Sequence, residues 1–434
     1  MKPLLVRDGR IIDPGQKIDE VGSLLITEGK ISWRGYAPPQ EDCDVLHADG
    51  LIVCPGFIDL HCHLRQPGYE EKETIESGSQ AAAKGGFTTV CCMPNTNPPL
   101  DNAAVIDYVK AEAAKKGVIR VLPIGCISKG RRGEGLVDMK ELAAAGVIGY
   151  SDDGSPVKNT RLMRQALDSS RDLGLPIIDH CEELSLSEGG QMNEGALAIK
   201  LKLPGIPAAA EEIMVARDLA LAQLTGGHLH IAHVSTAGSV DLIRHAKEKG
   251  VNVTAEVTPH HLTLTEKEVK GYNTNAKVSP PLRTKADNLA LIEGLKERVI
   301  DIIATDHAPH AETDKKCDFA RAASGISNFE TALGSLLGLV HDKRLSLTSL
   351  IAWLTCEPAR LLKDDNLGTL KIGAPADITI FDLYKEWIVD PGTFVSKGKN
   401  TPLAGSALRG KVMVTIYSGK IVYKDDSIKY EGKG

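Results

Sequence analysis

The sequence lacks the features that mark membrane, secreted and nucleic-acid-binding proteins. Its 434 residues contain no uninterrupted apolar run of membrane-spanning length. The first nine residues carry no long apolar segment of the kind found in secretory signals. Lysine and arginine number 51 against 57 aspartates and glutamates, a formal net charge of −6, so there is no basic excess for nucleic acid. We therefore expect a cytoplasmic protein that binds neither membranes nor nucleic acid.

Cysteine is also scarce, and its pattern argues against a disulfide framework. There are nine cysteines, which is an uneven number and a modest one for a chain of this length. Four of them, Cys54, Cys91, Cys92 and Cys126, lie inside apolar runs. Such cysteines are typical of buried, reduced thiols. With 42% hydrophobic and 25% charged residues, the chain has enough apolar material for a sizeable core.

The two ends of the chain have the same character. Both consist of short β-branched segments separated by turns such as Asp13-Pro14-Gly15 and Ser418-Gly419. This pattern predicts one small β-rich domain built from both termini, residues 1–53 and 365–434.

The middle of the chain, residues 54–364, alternates between strands and helices. Short apolar runs that suit buried parallel strands occur at residues 52–60, 87–93, 118–127, 147–150, 176–179, 228–234, 251–257 and 300–305. Helical spacing is clearest at residues 74–84, 104–116, 161–173, 209–224, 239–249 and 286–298. Eight such units predict an α/β fold of the (β/α)₈ TIM-barrel type. The alternative is an open doubly wound sheet, which the absence of a Gly-rich dinucleotide fingerprint disfavours.

Chemically active residues gather where the predicted strands end. In a (β/α)₈ barrel these carboxyl ends form the active site. His61 and His63 follow the first strand and share one face of it, because side chains at i and i+2 point the same way. His180, His233 and Asp306 follow the fifth, sixth and eighth strands. Imidazole and carboxylate ligands suit zinc, so these five residues predict a metal site.

This constellation resembles the metal-dependent barrels of the amidohydrolase superfamily. Local motifs narrow the resemblance to the type I bacterial dihydroorotases, and it spans nearly the whole chain. The motifs are His61-Cys62-His63-Leu64-Arg65, Met93-Pro94-Asn95-Thr96, Pro280-Pro281-Leu282-Arg283 and Thr305-Asp306-His307-Ala308-Pro309-His310.

The resemblance implies a site for one or two Zn²⁺ ions. Many superfamily members bridge two metals with a carboxylated lysine on the fourth strand, but this strand has no lysine. Asp153 matches the family's bridging ligand, with Asp152 as the competing candidate. One ion is then expected among His61, His63, Asp153 and Asp306, and a second among Asp153, His180 and His233.

The resemblance also implies the reaction, the reversible ring opening of dihydroorotate to N-carbamoyl-L-aspartate in de novo pyrimidine biosynthesis. Asp306 would move the proton, while Arg65, Asn95 and His310 would hold the substrate carboxylate. Ser279 stands where many relatives carry asparagine, which puts one ring contact in doubt. The alternatives are an allantoinase- or hydantoinase-like cyclic amide hydrolase and a non-catalytic scaffold subunit.

The segment after the eighth strand, residues 311–325, is long, charged and poor in large apolar residues. Such segments are often lids, so we expect it to be mobile when the site is empty and ordered by substrate near Ala323 and Gly325. The resemblance further implies a homo-oligomer, expected as a dimer, and allows a complex with aspartate transcarbamoylase.

Overall fold

The computed structural model describes residues 2–39 and 42–432. Its strands are β1 Leu4–Asp13, β2 Ile18–Thr27, β3 Lys30–Gly35, β4 Asp44–His47, β5 Ile52–Pro55, β6 Phe57–Cys62, β7 Phe87–Cys92, β8 Arg120–Pro123, β9 Tyr150–Ser151, β10 Ile177–Asp179, β11 Met192–Asn193, β12 Gly205–Ile206, β13 Leu229–Ile231, β14 Val253–Val257, β15 Ile302–Ile303, β16 Ile378–Ile388, β17 Ala407–Tyr417, β18 Lys420–Lys424 and β19 Tyr430–Glu431.

The helices cover most of the segments predicted from helical spacing. They are α1 Ile75–Lys84, α2 Ala103–Lys116, α3 Met139–Ala145, α4 Thr160–Leu173, α5 Leu184–Ser187, α6 Ala196–Leu201, α7 Ala209–Thr225, α8 Ala237–Glu248, α9 Pro259–Thr263, α10 Lys285–Lys296, α11 Glu312–Lys315, α12 Phe329–His341, α13 Leu347–Leu354 and α14 Cys356–Leu362. Thr74 and Thr284 begin α1 and α10 with capping boxes, which satisfy backbone N–H groups at the first turn.

The barrel contains eight parallel strands. Their order is β6, β7, β8, β9, β10, β13, β14 and β15, with parallel ladders along most of the ring. Parallel bridges complete it: Gly125 pairs with Tyr150, and Cys62 pairs with His307. His63 N donates to His307 O at 2.9 Å across the same seam between the first and last strands. The predicted α/β barrel is therefore confirmed, as the comparisons below also indicate.

The terminal segments form one sheet of nine strands. Its main path runs β18-β17-β16-β5-β1-β2-β3, with β4 and β19 attached beside β1. This sheet has a separate apolar core that includes Val6, Leu24, Ile378 and Ile416. Both termini thus contribute to the same β unit.

The first predicted run, residues 52–60, is split between the two units. Its first part is β5, whose antiparallel ladder with β16 continues to Pro55. Its second part is β6, the first barrel strand. The break lies at Gly56, where a Cβ atom would come within 2.1 Å of Thr88 Oγ1. The β unit therefore extends two residues beyond the boundary expected after residue 53.

One part of the barrel was not foreseen from the sequence. Between β10 and the long helix α7, residues 184–206 form the short elements α5, β11, α6 and β12.

No helix of the described residues is both long enough and apolar enough to cross a membrane. Cys54, Cys91, Cys92 and Cys126 are buried free thiols, as predicted.

Candidate active site

The carboxyl ends of the barrel strands bring six predicted metal ligands into one buried cluster. All six residues are at most 5% exposed. They come from β6, β9, β10, β13 and β15 or from the residues that directly follow these strands: His61, His63, Asp153, His180, His233 and Asp306.

Two histidines and two aspartates form the first half of the cluster. His61 Nε2 lies 3.5 Å from Asp153 Oδ1 and 3.5 Å from Asp306 Oδ1. His63 Nε2 lies 3.1 Å from Asp306 Oδ1 and 3.5 Å from Asp153 Oδ2. Two nitrogens bound tetrahedrally at zinc distances would be about 3.3 Å apart. The four side chains are therefore spaced like the ligands of a metal ion.

The second half of the cluster shares Asp153. Its Oδ1 lies 3.6 Å from His180 Nδ1 and 3.6 Å from His233 Nε2. These two ring nitrogens are 2.7 Å apart. Two nitrogen lone pairs at this distance repel unless a proton or a cation lies between them. Asp153 is thus the one carboxylate that contacts both halves.

Three of the histidines have a partner on the ring nitrogen that faces away from the cluster. His61 Nδ1 lies 2.5 Å from Glu256 Oε1, and His63 Nδ1 lies 2.9 Å from Asn95 Oδ1. His180 Nε2 lies 3.3 Å from Glu182 Oε2. A hydrogen bond at the outer nitrogen fixes the tautomer and leaves the inner nitrogen free as a metal ligand.

Electrostatics in the metal-free cluster favour a cation. Burial raises the pKa of Asp306, but the hydrogen bond from His63 and the charge of His61 lower it to about 2. Burial lowers the pKa of His61, whereas the charges of Glu256 and Asp153 raise it to about 10. The carboxylates therefore stay ionised, and protons on histidine compensate their charge. A metal ion would supply the same compensation.

The donor set fits a metal ion on its own chemistry. His61 Nε2 and Asp153 Oδ1 are buried and have no hydrogen-bond partner. Ligand atoms of His61, His63 and Asp306, and of His61, Asp153 and His233, lie within 4.8 Å of one another. Histidine nitrogen with carboxylate oxygen suits zinc and related divalent ions.

Three residues of the site have a left-handed backbone. The φ angles are 61° at Arg65, 34° at His233 and 45° at Asp306. This region is costly for residues with a Cβ, by about 1–3 kcal/mol each, and such strain is concentrated at functional sites. Here it accompanies the sharp turns at which the chain leaves three barrel strands.

The neighbouring aspartates of the fourth strand face in different directions. Asp153 contributes to the cluster, as described above. Asp152 Oδ1 instead accepts hydrogen bonds from the backbone N–H groups of Ile127, at 2.9 Å, and Ser128, at 3.1 Å. Asp152 therefore supports the loop after β8 and has no contact with the cluster.

A cavity opens above the cluster and contains most of the predicted substrate residues. It is lined by His63, Arg65, Asn95, Asp153, Gly154, His180, Glu182, His233, Val278, Ser279, Asp306, Ala308, His310, Ser324 and Gly325. Arg65 Nε donates to Pro309 O at 3.2 Å, and Arg65 Nη2 lies 3.4 Å from His310 Nε2. Among the described residues, Arg65 has no carboxylate partner within 4.0 Å. Its guanidinium is available to an anion.

Ala323 is the predicted substrate residue that does not line this cavity. Its N–H donates to Asp314 O at 3.1 Å, and its carbonyl accepts from Lys315 Nζ at 2.6 Å. Gly325 does line the cavity, and a Cβ there would lie 2.7 Å from Ala308 O and 2.9 Å from His310 Nε2.

The segment 311–325 has anchors that its composition did not reveal. Lys315 Nζ donates to Thr274 O at 3.1 Å and to Lys277 O at 3.2 Å. In return, Lys277 Nζ donates to Phe319 O at 2.8 Å and to Ala320 O at 3.0 Å. Phe319 is buried in a small core next to the cavity. Two buried lysines and one aromatic ring therefore anchor this segment, and its expected mobility in the absence of substrate stays a prediction.

Other histidines of the strand ends have structural partners. His307 Nδ1 accepts from Asn328 N at 3.0 Å, at the start of α12. His261 Nε2 lies 3.1 Å from Pro280 O, and His260 Nδ1 lies 2.7 Å from Asn328 Nδ2. Arg283 of the Pro-Pro-Leu-Arg motif donates to Asn193 Oδ1 at 3.0 Å, outside the cavity lining.

Sequence reasoning missed Glu256, which holds His61. A signal was present, because Glu256 is the one charged residue in the apolar run 251–257. A carboxylate inside a buried strand needs a partner, and here it has two histidines.

Comparison with known proteins agrees with this geometry. The dihydro-orotase-like family model matches residues 50–239. Dihydroorotases of Syntrophus aciditrophicus (strain SB) and Aquifex aeolicus (strain VF5) are each 50% identical to the chain, over 98% of it and 100% of the relative. The L-hydantoinase (dihydropyrimidinase) from Arthrobacter aurescens superposes with a TM-score of 0.88 at 25% identity, covering 99% of this chain and 98% of that one.

Dihydropyrimidinase from Brevibacillus agri NCHU1002 has the same fold, with a TM-score of 0.86 at 23% identity over 99% of this chain and 96% of its own. Fold and site together define a cyclic amide hydrolase of the amidohydrolase superfamily. Within that superfamily, the chain belongs to the dihydroorotase family.

Proposed function

We propose that the chain catalyses the reversible, zinc-dependent hydrolysis of dihydroorotate to N-carbamoyl-L-aspartate in de novo pyrimidine biosynthesis. Family membership supports the reaction. The choice of substrate depends on one observation, the guanidinium of Arg65 beside the cluster with no carboxylate partner among the described residues. Dihydroorotate carries a carboxylate on its ring, and a guanidinium binds a carboxylate with two parallel hydrogen bonds.

Six residues would hold the metal. His61, His63, Asp153 and Asp306 are proposed for one ion, and Asp153, His180 and His233 for a second. When bound, zinc lowers the pKa of a coordinated water and polarises a carbonyl oxygen. Nitrogen and carboxylate donors without thiolate support zinc as the ion.

Asp306 is proposed to move the proton. It is ionised at neutral pH, because His63 and His61 hold its pKa near 2 despite its burial. As a base it accepts a proton from the attacking water, and as an acid it then gives that proton to the departing ring nitrogen. Ring opening creates a second carboxylate and releases a proton to solvent, so a lower pH favours ring closure.

The carboxylate of the substrate is proposed to lie against Arg65, Asn95 and His310. Burial and the charges of Arg65 and Lys315 lower the pKa of His310 to about 3, so it is neutral in the empty site. Its Nδ1 has no hydrogen-bond partner. This Nδ1 atom lies 3.5 Å from Asp314 Oδ2, and a substrate carboxylate beside the ring would further favour its protonated form. Ser279 and the backbone at Gly325 are proposed to contact the ring, and a contact at Ala323 would require its N–H to leave the carbonyl of Asp314.

The closest competing function is hydrolysis of hydantoins or dihydropyrimidines that have no carboxylate. The structural neighbours described above are a hydantoinase and a dihydropyrimidinase. Purified protein should be assayed with zinc on dihydroorotate, dihydrouracil and hydantoin. We expect turnover of dihydroorotate to exceed that of the other two by at least about 100-fold, because a site built for a carboxylate loses that interaction with substrates that lack it. Preference for dihydrouracil or hydantoin would contradict the proposal.

A scaffold subunit without activity is the second competitor. Such a subunit would not need the intact cluster, and here six buried ligand side chains converge. Location in the cytoplasm, assembly as a homodimer and a complex with aspartate transcarbamoylase stay predictions. Sedimentation of the chain alone tests the homodimer, and sedimentation of the chain mixed with aspartate transcarbamoylase tests the complex.

A further inference from the structure

A continuous chain of hydrogen bonds runs through the barrel beneath the cluster. His61 Nδ1 lies 2.5 Å from Glu256 Oε1, and His230 Nε2 lies 3.2 Å from Glu256 Oε2. On the other side of its ring, His230 Nδ1 lies 2.8 Å from Thr254 Oγ1. The same hydroxyl lies 2.9 Å from His228 Nε2. Five side chains are therefore linked from a metal ligand down to the start of β13.

Strand geometry explains this column. His228 and His230 are two residues apart along β13, and Thr254 and Glu256 are two apart along β14, so each pair faces one side. The parallel ladder aligns His230 with Thr254. His61 is on β6, which is separated from β14 by β15, so its bond to Glu256 crosses the barrel interior.

The hydrogen bonds converge on Glu256 from both sides. An ionised Glu256 can only accept, so His61 donates from Nδ1 and His230 donates from Nε2. The Nδ1 atom of a neutral His230 is then an acceptor, and the hydroxyl of Thr254 donates to it. The same oxygen accepts from His228 Nε2–H. Each N–H or O–H group in these four hydrogen bonds has an acceptor, and the tautomer of each histidine follows from the partner that it contacts.

The upper end of the column is the metal ligand. With its proton held on Nδ1, His61 presents the lone pair of Nε2 to Asp153 and Asp306, where it has no hydrogen-bond partner of its own. A carboxylate on the outer nitrogen also makes an imidazole a stronger ligand. The lower end is neutral as well, because burial lowers the pKa of His228 to about 4.

We propose that Glu256, His230 and Thr254 are positioning residues that set the tautomer and orientation of His61 for the metal. The inference rests on the proposed function, because it requires a metal ion at His61. It gives a role to Thr254, a residue with no direct contact with the cluster. Partners of this kind typically change metal affinity by about 10–100-fold.

The test uses two substitutions at Thr254 that differ in the hydroxyl. Thr254→Val removes the hydroxyl and keeps the shape, which leaves His230 Nδ1 and His228 Nε2 without their shared hydrogen-bond partner and loosens the orientation of His230 against Glu256. Thr254→Ser keeps the hydroxyl and loses only a methyl group. The zinc dissociation constant of each purified variant is measured by competition with a chelator. We expect an increase of about 10-fold for Thr254→Val, and a value near wild type for Thr254→Ser.

Two further variants separate positioning from general stability. Thr415→Val removes a buried hydroxyl in the β unit, where Thr415 Oγ1 donates to Ala83 O at 2.6 Å. It should lower the unfolding temperature of the metal-free protein without changing zinc affinity. Glu256→Gln removes the anion that both histidines share, and should weaken zinc binding more than Thr254→Val does.

The outcomes are distinct. If Thr254→Val lowers the unfolding temperature but binds zinc as wild type does, Thr254 is merely structural and the inference is wrong, while the proposed function stands. If Thr254→Ser weakens zinc binding as much as Thr254→Val does, the hydroxyl is not the cause and the inference is equally wrong. If wild-type protein binds no zinc, both the inference and the zinc-dependent function fail.

Discussion

The Nε2 atom of His63 lies 3.1 Å from Oδ1 of Asp306, across the seam where the first barrel strand meets the last. The two residues are 243 positions apart in sequence. Closure of the barrel therefore assembles the site, because it brings Asp306, the proposed proton-transfer residue, beside the proposed metal ligand His63.

The carboxylate of Asp306 can be tested without removing its bulk. Asp306→Asn keeps an oxygen near His63 but cannot accept and return a proton. We expect kcat for dihydroorotate to fall by about 100-fold or more, while much of the bound zinc is retained. Turnover and zinc content are measured on the same preparation. Near-normal turnover would remove Asp306 from proton transfer.

The guanidinium of Arg65, with its two parallel N–H donors, is the basis of the substrate proposal. Arg65→Lys keeps the positive charge but loses the two parallel donors. We expect KM for dihydroorotate to rise by about 10-fold and kcat/KM to fall at least as far. Zinc content should not change, because Arg65 is not among the proposed ligands. Unchanged kinetics would reopen the hydantoinase alternative.

The segment 311–325 is held to residues 274–277 by a pair of lysines. Lys315→Met removes three hydrogen bonds to carbonyl groups, so limited proteolysis of residues 312–321 should become faster and KM should rise. Lys316→Met is the matched control. The Lys316 side chain is 74% exposed and, among the described residues, forms an ion pair only with Glu312. N-carbamoyl-aspartate should slow cleavage in wild type. Cleavage that neither ligand nor Lys315→Met alters would contradict a role for the segment at the site.

Stability should depend on pH differently with and without metal. In the metal-free site, burial lowers the pKa of His61. The charges of Glu256 and Asp153 raise this pKa by more, to about 10. A raised pKa stabilises the fold below the unfolded value of about 6.5, and this contribution is lost as pH rises toward 10. Bound metal replaces the proton.

The unfolding temperature of metal-free protein should therefore fall between pH 6.5 and pH 10 more steeply than that of zinc-loaded protein. Thermal unfolding followed by circular dichroism measures both curves. His61→Asn, which cannot hold that proton, should flatten the metal-free curve. Parallel curves for the two forms would show that His61 does not carry this proton.

The barrel and five residues of the cluster could be predicted because both follow from local rules, whereas Asp153 was identified only through the family resemblance. Strand periodicity places His61 and His63 on one face, and parallel strands bring their carboxyl ends together. The partners that orient these ligands were harder to foresee. Glu256 contacts His61 from a strand 195 residues away, a pairing that only the closed barrel defines.

The anchoring of the segment 311–325 was missed for a related reason. Composition showed a long, charged segment with few large apolar residues, but Lys315 and Lys277 donate to backbone carbonyl groups. Any residue supplies such acceptors, so no sequence pattern reveals them. Likewise, the split of residues 52–60 at Gly56 depends on contact with Thr88 of the next barrel strand.

The most direct test of the account is turnover of dihydroorotate before and after removal of metal. Protein stripped with a chelator should lose at least about 99% of its activity, because activation of water at neutral pH depends on the bound ion. Stoichiometric Zn²⁺ should restore the activity, and should not restore it in His61→Ala or His63→Ala, which lack a ligand of the cluster. Full activity in verified metal-free protein would contradict the central claim.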